Sequence, residues 1–287
     1  MLYYNRKTRQ YEEEIEYQKG MLKFLYKTVP GRFLLWAFVA RPWFSNLRAV
    51  YQNSVRSKKD IIPFIEKYKV DEDKEYAAKT YKCFNDFFTR KKTLNIKEDA
   101  PDIIVSPADC KMQFFDITDD LKLNIKQSAY DVKDIFDNKH LAGFFNGGTC
   151  IVFRLCVDDY HRYHYVDNGK QVYHHAIKGK LHTVRPISEK FKVYARNARE
   201  VTIMETDNFG IVGQVEVGAL MVGKIVNHEH LVFKKYQEKG YFEFGGSTIV
   251  MFYQGKIKFD EDIERAVAEG YEVKVSAGER IGKCLKD

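Results

Sequence analysis

Phe244-Gly245-Gly246-Ser247-Thr248-Ile249-Val250-Met251-Phe252-Tyr253 is the stretch on which the reading of this chain turns. Its second half is short, unbroken and rich in β-branched and aromatic residues, the pattern of a buried strand. Two glycines permit backbone geometries closed to other residues and set Ser247 at the mouth of that strand. A strained Gly–Ser peptide is a place where a serine hydroxyl could attack its own preceding carbonyl. For an isolated Gly-Gly-Ser, however, a tight turn before a core strand is the default, so the surrounding chain decides.

Outward from this stretch, further strands are expected over 149–157, 211–217, 219–226 and 272–275, several of them bounded by glycine. A late helix fits 260–269, with Asp260 as N-cap and Gly270 just past its end. Toward the N-terminus, Ala77, Ala78, Tyr81, Phe84, Phe87 and Phe88 recur at three-and-four spacing and predict a helix over 72–92. Strands dominate and helices cluster at the front, which gives an α+β fold. The expected organisation is a helical N-terminal membrane-facing region, 1–98, followed by a β-rich catalytic domain, 99–287, of mostly antiparallel short strands. The polar residues 93–102 lie at the boundary.

At 287 residues the chain can bury a substantial core. Its net charge of +7 resides in the first 60 residues, which hold twelve Lys/Arg against five acids, while the remainder balances at 35 each. A basic end invites an anionic partner. Between residues 15 and 60 the cations alternate with large apolar side chains, Trp36 and Trp43 among them, as in a helix lying in a membrane interface. Pro30-Gly31 is expected to break this segment and Pro42 to stop its second apolar run. That run, Phe33 to Ala40, is far short of the ~20 residues needed to span a bilayer. The N-terminus does not read as a signal peptide, so a soluble or peripheral protein is expected. The basic segment is too apolar, and too free of recognition motifs, for nucleic-acid binding. Five scattered cysteines without a Cys-x-x-Cys pair suggest neither a disulfide framework nor a zinc site, and fit a reducing compartment.

Three places carry candidate chemistry. Ser106-Pro107-Ala108-Asp109 delivers an aspartate into a turn, Asp158-Asp159-Tyr160-His161-Arg162-Tyr163-His164 follows an apolar strand, and Gly246-Ser247 opens another. His161 and His164 lack an obvious third metal ligand, so no metal is expected. His174-His175 and His228-Glu229-His230 read as surface or structural. Asp109, His164 and Ser247 on separate strand ends form a possible orienter–base–nucleophile set.

At these residues the chain resembles the phosphatidylserine decarboxylases, in their shorter bacterial, clostridial-type form. Phe84-Asn85-Asp86-Phe87-Phe88-Thr89-Arg90, Ser106-Pro107-Ala108-Asp109, Tyr160-His161-Arg162-Tyr163-His164, Val217-Gly218-Ala219-Leu220-Met221-Val222-Gly223, Lys239 to Thr248, and Gly278-Glu279-Arg280-Ile281-Gly282 are similar to six family motifs in the family's order. Tyr4-Asn5-Arg6-Lys7-Thr8 resembles the start of the clostridial branch. Two departures accompany the match. Cys110 stands where glycine is usual, and a positive φ there would be costly for cysteine. The Arg-Pro that commonly follows the first motif is missing around Thr93 to Ala100.

The resemblance implies a proenzyme that cuts itself between Gly246 and Ser247 into a large β chain, 1–246, and a small α chain, 247–287. Asp109 would orient His164, His164 would take the proton of Ser247, and Ser247 would become a covalent pyruvoyl group. That group, the only cofactor implied, would form a Schiff base with the substrate and act as electron sink. His164 would then protonate the product carbanion, with His161 as second choice or as positioner of the substrate carboxylate. Substrate and partner would be phosphatidylserine in an anionic membrane, the product phosphatidylethanolamine, and the location the cytoplasmic face of the bacterial cell membrane. A homodimer is added as a candidate assembly. Two rival readings remain at this level. One is a serine hydrolase using Asp109, His164 and Ser247, although a Gly-x-Ser-x-Gly elbow is absent. The other is a non-enzymatic membrane-binding module whose Gly-Gly-Ser is only a turn.

Overall fold

The computed structural model describes residues 1–15, 18–125, 128–184, 186–220, 224–245 and 247–285. In chain order its strands are β1 (Leu2–Asn5), β2 (Gln10–Glu13), β3 (Ile103–Val105), β4 (Cys110–Asp116), β5 (Lys122–Ile125), β6 (Ser128–Asp131), β7 (Thr149–Leu155), β8 (Arg162–His164), β9 (Gly169–Ile177), β10 (Arg199–Thr206), β11 (Gly210–Val217), β12 (Ile225–Asn227), β13 (Val232–Phe233), β14 (Glu238–Phe242), β15 (Ser247–Tyr253), β16 (Ile257–Phe259), β17 (Glu272–Val275) and β18 (Arg280–Cys284). The helices are α1 (Lys19–Lys27), α2 (Val29–Leu34), α3 (Pro42–Gln52), α4 (Ile61–Tyr68), α5 (Lys74–Thr80), α6 (Phe84–Phe88), α7 (Val132–Phe136), α8 (Lys139–Gly143), α9 (Val193–Arg196) and α10 (Glu261–Ala268).

Ten strands form one sheet in the order β13-β9-β10-β11-β15-β7-β4-β17-β1-β2, with β1 and β17 its parallel pair. The strand that opens at Ser247 lies inside this sheet, between β11 and β7. Ile249, Met251 and Tyr253 enter the core on one face, Val250 and Phe252 the core on the other. Burial on both faces is why this run is continuously apolar instead of alternating. The small sheet β12-β14-β8 packs on the first of these cores through Tyr163 and Phe242. Gly240 lets its strands approach, since a Cβ there would stand 2.2 Å from the Val226 carbonyl oxygen.

The helices of residues 19–88 form a layer with two small cores of their own. Ile61, Phe64, Ile65, Phe84, Phe87 and Phe88 close around Phe244 of the body. Leu22, Leu25, Tyr26 and Leu35 close around Leu220. No helix among the described residues is long and apolar enough to cross a membrane.

Three expectations are corrected. The N-terminal region is not wholly helical, because β1 and β2 form a hairpin that closes one edge of the ten-stranded sheet. Arg6 locks it there, reaching Asp260 (2.9 Å), Asp262 (2.8 Å) and Glu279 (3.0 Å). The helix predicted over 72–92 is two, α5 and α6. Tyr81 and Cys83 between them are extended, and the Phe84 amide donates to Ser57 Oγ (2.9 Å) instead of continuing a helix. The strand predicted over 219–226 is confined to β12, with Leu220 in a turn; Met221, Val222 and Gly223 lie outside the described residues. Pro42 does end the apolar run, since the helical stretch closes at Val39 and Arg41 before the proline is extended, and it also opens α3, where proline's missing N–H costs nothing in a first turn. Residues 91–100 carry no regular structure and are tied to the body through Glu98, whose carbonyl accepts from Tyr236 and whose carboxylate pairs with Arg280.

Candidate active site

Ser247 begins β15 opposite Leu155 of β7. By the two-residue period of a strand it shares a face with Ile249 and Met251, the face covered by the β8–β14 sheet. Its side chain is wholly enclosed, and Oγ has no hydrogen-bond partner among the described residues. A buried hydroxyl without a partner is costly, a state Ser247 shares among the described residues with Ser45, Thr202 and Thr248. Gly246 lies outside the described residues. Gly245 before it has φ +141°, a region that a side chain would strain.

The segment that delivers Ser247 is clamped from the helical layer. The Phe244 amide donates to Asn85 Oδ1 (3.1 Å), and Asn85 Nδ2 donates in turn to Asn53 Oδ1 (3.0 Å). The Phe244 ring meets Phe84 and Phe88 edge to face at 5.0 and 5.1 Å. In the sequence Phe84, Phe87 and Phe88 belong to the apolar stripe and 84–90 to the first family-like motif; Asn85 between those rings was the signal that one position does something other than pack.

Of the candidate histidines, His161 stands beside this segment, while His164 lies opposite Glu238 of β14. The Phe242 amide donates to the His161 carbonyl (2.9 Å), which joins the histidine loop to the strand leading to Ser247. His161 is fully buried against Phe88, ring centroids 3.9 Å apart. Its Nδ1 lies 2.9 Å from the Asp159 carbonyl, an acceptor, so Nδ1 carries the proton and Nε2 keeps a lone pair with no partner among the described residues. Burial lowers its pKa to about 4, so the ring is neutral. His164 stacks on Tyr160 at 6.0 Å, and its Nδ1 is likewise buried without a partner. Burial lowers its pKa too, against the opposing charge of Glu238.

The His164 amide donates to the Pro107 carbonyl (2.9 Å), so the aspartate turn and the histidine strand are joined. The direct Asp109–His164 hydrogen bond that the resemblance implies is not made. Asp109 Oδ1 accepts from the Ala277 amide (2.8 Å) and Oδ2 from Lys92, whose ammonium also sits 4.7 Å over the Tyr160 ring. Cys110 is not among the residues with positive φ; it is buried at the start of β4, paired with Val275, so the feared strain does not arise.

Behind the histidine loop lies a buried ionic cluster that the sequence did not suggest. Arg154 binds Glu272 and Glu14, Lys111 pairs with Glu14 (3.2 Å), and Lys274 pairs with Asp159. Burial pushes the Asp159 carboxyl up, but Lys274 and Lys111 outweigh it and hold it below the usual carboxylate range. The ionised Asp159 side chain accepts from the Cys156 amide (2.7 Å), which fixes the loop that presents His161. Beside it an apolar cleft opens, lined by Leu22, Cys156, Val157, Val184, Phe244 and Gly245. Among the described residues no cluster of His, Cys, Asp and Glu could hold a metal.

The apolar cleft thus borders the Phe244–Gly245 segment that leads into Ser247, and His161 packs on Phe88 against the same segment. A family model described as phosphatidylserine decarboxylase matches residues 84–283. The chain is 49% identical to phosphatidylserine decarboxylase proenzyme 2 of Clostridium acetobutylicum, over 98% of this chain and 97% of that one. It is 39% identical to the phosphatidylserine decarboxylase proenzymes of Clostridium kluyveri and Ruminiclostridium cellulolyticum, in each case over 98% of this chain and at least 97% of the relative. The match runs through every element that builds the site, and the chain belongs to the phosphatidylserine decarboxylase family.

Proposed function

We propose that this chain cuts itself before Ser247 and then decarboxylates phosphatidylserine to phosphatidylethanolamine and carbon dioxide. The observation that carries the reading is the enclosed, partnerless Ser247 Oγ on the face shared with the histidine sheet. A hydrolase acting on external substrates would need that oxygen open to them.

In the self-cleavage His164 takes the Ser247 proton, and Oγ attacks the Gly246 carbonyl carbon. The C–N bond breaks, the proton passes to the freed amine, and an ester remains. Removal of the residue 247 Cα proton expels the Gly246 carboxylate and leaves a dehydroalanine. Tautomerisation and hydrolysis release ammonia and leave a pyruvoyl group. Proximity supplies much of the rate, since nucleophile and target are neighbours in the chain. Asp109 reaches His164 once it leaves Lys92, and so orients the base.

The fit of a pyruvoyl group rests on the same features: a buried 247 side chain, two partnerless imidazole nitrogens and an adjoining apolar cleft. When formed, the group supplies the electron sink for loss of carbon dioxide. His161 Nε2, neutral and lone-paired, positions the substrate head group, and His164 returns the proton to the product. The apolar cleft excludes water and accepts the start of the lipid's glycerol and chains.

The substrate is reached at the inner face of the cell membrane. Val29, Phe33, Trp36, Trp43, Leu47 and Val50 are all exposed, from 49% for Trp43 to 73% for Val29. Arg41 lies 5.8 Å over the Trp36 ring. Such a face supports shallow insertion with charge attraction to anionic lipids.

The deciding experiment is the denatured mass of wild type and of Ser247→Ala. Two chains parting before residue 247 in the wild type, the smaller carrying pyruvate, with one intact chain in the variant, is the expected result. A single wild-type chain labelled at Ser247 by a fluorophosphonate would replace this reading with the hydrolase.

A further inference from the structure

A second cleft, of about 610 Å³, opens beside the helical layer and shares no lining residue with the one at Gly245. One wall is Arg32 of α2 with Leu35 and Trp36 of the π-helical stretch Leu35–Val39 that continues it. The other is Lys180, His182 and Arg196 of the body. Phe191 forms the floor, stacked on His182 with ring centroids 4.6 Å apart. Arg32, Lys180 and Arg196 are exposed, and among the described residues their side chains meet no carboxylate. Burial, followed by the charges of Lys180 and Arg196, lowers the His182 pKa to about 4, so the ring adds no positive charge and serves as a flat neutral surface.

Three unpaired cations converging on an aromatic floor are the complement of a phosphodiester with apolar atoms attached. Trp36 belongs both to this cleft and to the exposed apolar face, at 58% exposure, so the cleft opens where a bilayer would lie. His182 lines this cleft, while Thr183 and Val184 line the one at Gly245; one strip of chain divides the two. A head group held here is therefore walled off from Ser247.

We propose that this cleft binds the phosphodiester of an anionic glycerophospholipid of the bilayer, distinct from the molecule being decarboxylated, and that this resident lipid anchors the enzyme. The proposal takes from the functional reading only that the chain works at a membrane.

The test uses full-length protein and monomeric dihexanoyl phosphatidylglycerol below its micelle concentration. Trp36 and Trp43 are the two tryptophans of the chain, so in a Trp43→Phe background Trp36 reports alone. A saturable fluorescence change is expected, and the double substitution Lys180→Ser/Arg196→Ser should weaken the apparent Kd by about thirtyfold. A change that fails to saturate, or that saturates equally in the variant, overturns the proposal. Displacement by inorganic phosphate at equal concentration also overturns it, by making the cleft a free-anion site. Both substituted side chains are exposed, and unchanged turnover of dihexanoyl phosphatidylserine by the variant would report an intact fold. Phosphatidylglycerol binding by a chain with no decarboxylase activity would sink the functional reading and leave the cleft standing.

Discussion

The helical layer contains two stretches of similar composition that do opposite things. Between residues 29 and 50 most of the large apolar side chains point outward, with Val29, Phe33, Trp36, Trp43, Leu47 and Val50 all exposed while Leu35 packs on Leu220. Between residues 61 and 88 they point inward, and Ile61, Phe64, Phe84, Phe87 and Phe88 are buried around Phe244. The first stretch contributes little to the fold and keeps its apolar area for another surface. The second spends its area fixing the peptide next to Ser247. Hydrophobicity alone did not separate them; what did was whether the body offers an aromatic counterpart.

The strongest attempt to break this contrast is Phe88→Ala. Removing a fully enclosed ring between His161 and Phe244 should cost about 3–5 kcal/mol. Denaturant unfolding would measure it, and the surviving folded fraction should mature slowly. Wild-type stability in Phe88→Ala would mean that the inward packing is dispensable.

The inward stretch also keeps His161 uncharged. Its pKa falls from the ordinary value near 6.5 to about 4 on folding. The unfolded chain therefore binds the extra proton first, and stability is full above about pH 6.5 and declines as pH falls toward 4. The largest loss is on the order of 3 kcal/mol. Unfolding curves across this window should flatten in His161→Phe, with His182 contributing a similar slope that remains. A variant slope equal to wild type would mean that His161 is not held neutral.

Asn85→Ala leaves the clamp's rings in place but strips the Phe244 amide of its acceptor. A loss of about 1–3 kcal/mol is expected, together with slower self-cleavage in a time course of denatured mass. Stability loss without any change in cleavage rate would confine Asn85 to packing.

The outward stretch should give the smallest change in stability and a selective change in activity. Trp36→Ser/Trp43→Ser is expected to stay within about 0.5 kcal/mol of wild type. Turnover on vesicles should drop at least about tenfold, while soluble short-chain substrate is processed normally. Equal loss on both substrates would turn these tryptophans into part of the fold.

The parts legible in the sequence were those whose signal is local. The runs expected over 149–157 and 248–253 became strands Thr149–Leu155 and Ser247–Tyr253, the run at 272–275 became β17, and the Asp260–Gly270 frame became α10. The β1–β2 hairpin was missed because four-residue strands carry almost no periodicity and the strand partnering β1 lies at Glu272–Val275, far away in the chain. The split at Tyr81 was missed because a stripe of apolar residues persists through a kink when both halves face the same core. His161, His164 and Ser247 were drawn together as one candidate site only through the family resemblance. Lys92 on Asp109, Asn85 under Phe244 and the Arg154 cluster rest on tertiary contacts that no spacing reports.

The place of β15 inside the ten-stranded sheet has a consequence for what happens after the cut. The small chain would carry β15, threaded between β11 and β7, and β17, threaded between β4 and β1. Separating it would tear four ladders of hydrogen bonds inside the sheet, so the halves stay woven together although no covalent bond joins them. Unfolding, though, would turn a one-molecule event into a two-molecule one. The precursor should refold at a rate indifferent to dilution, whereas the mature protein, once melted, must find its missing strands again by collision. Maturation would thus act as a ratchet: the active form is held by the path that made it.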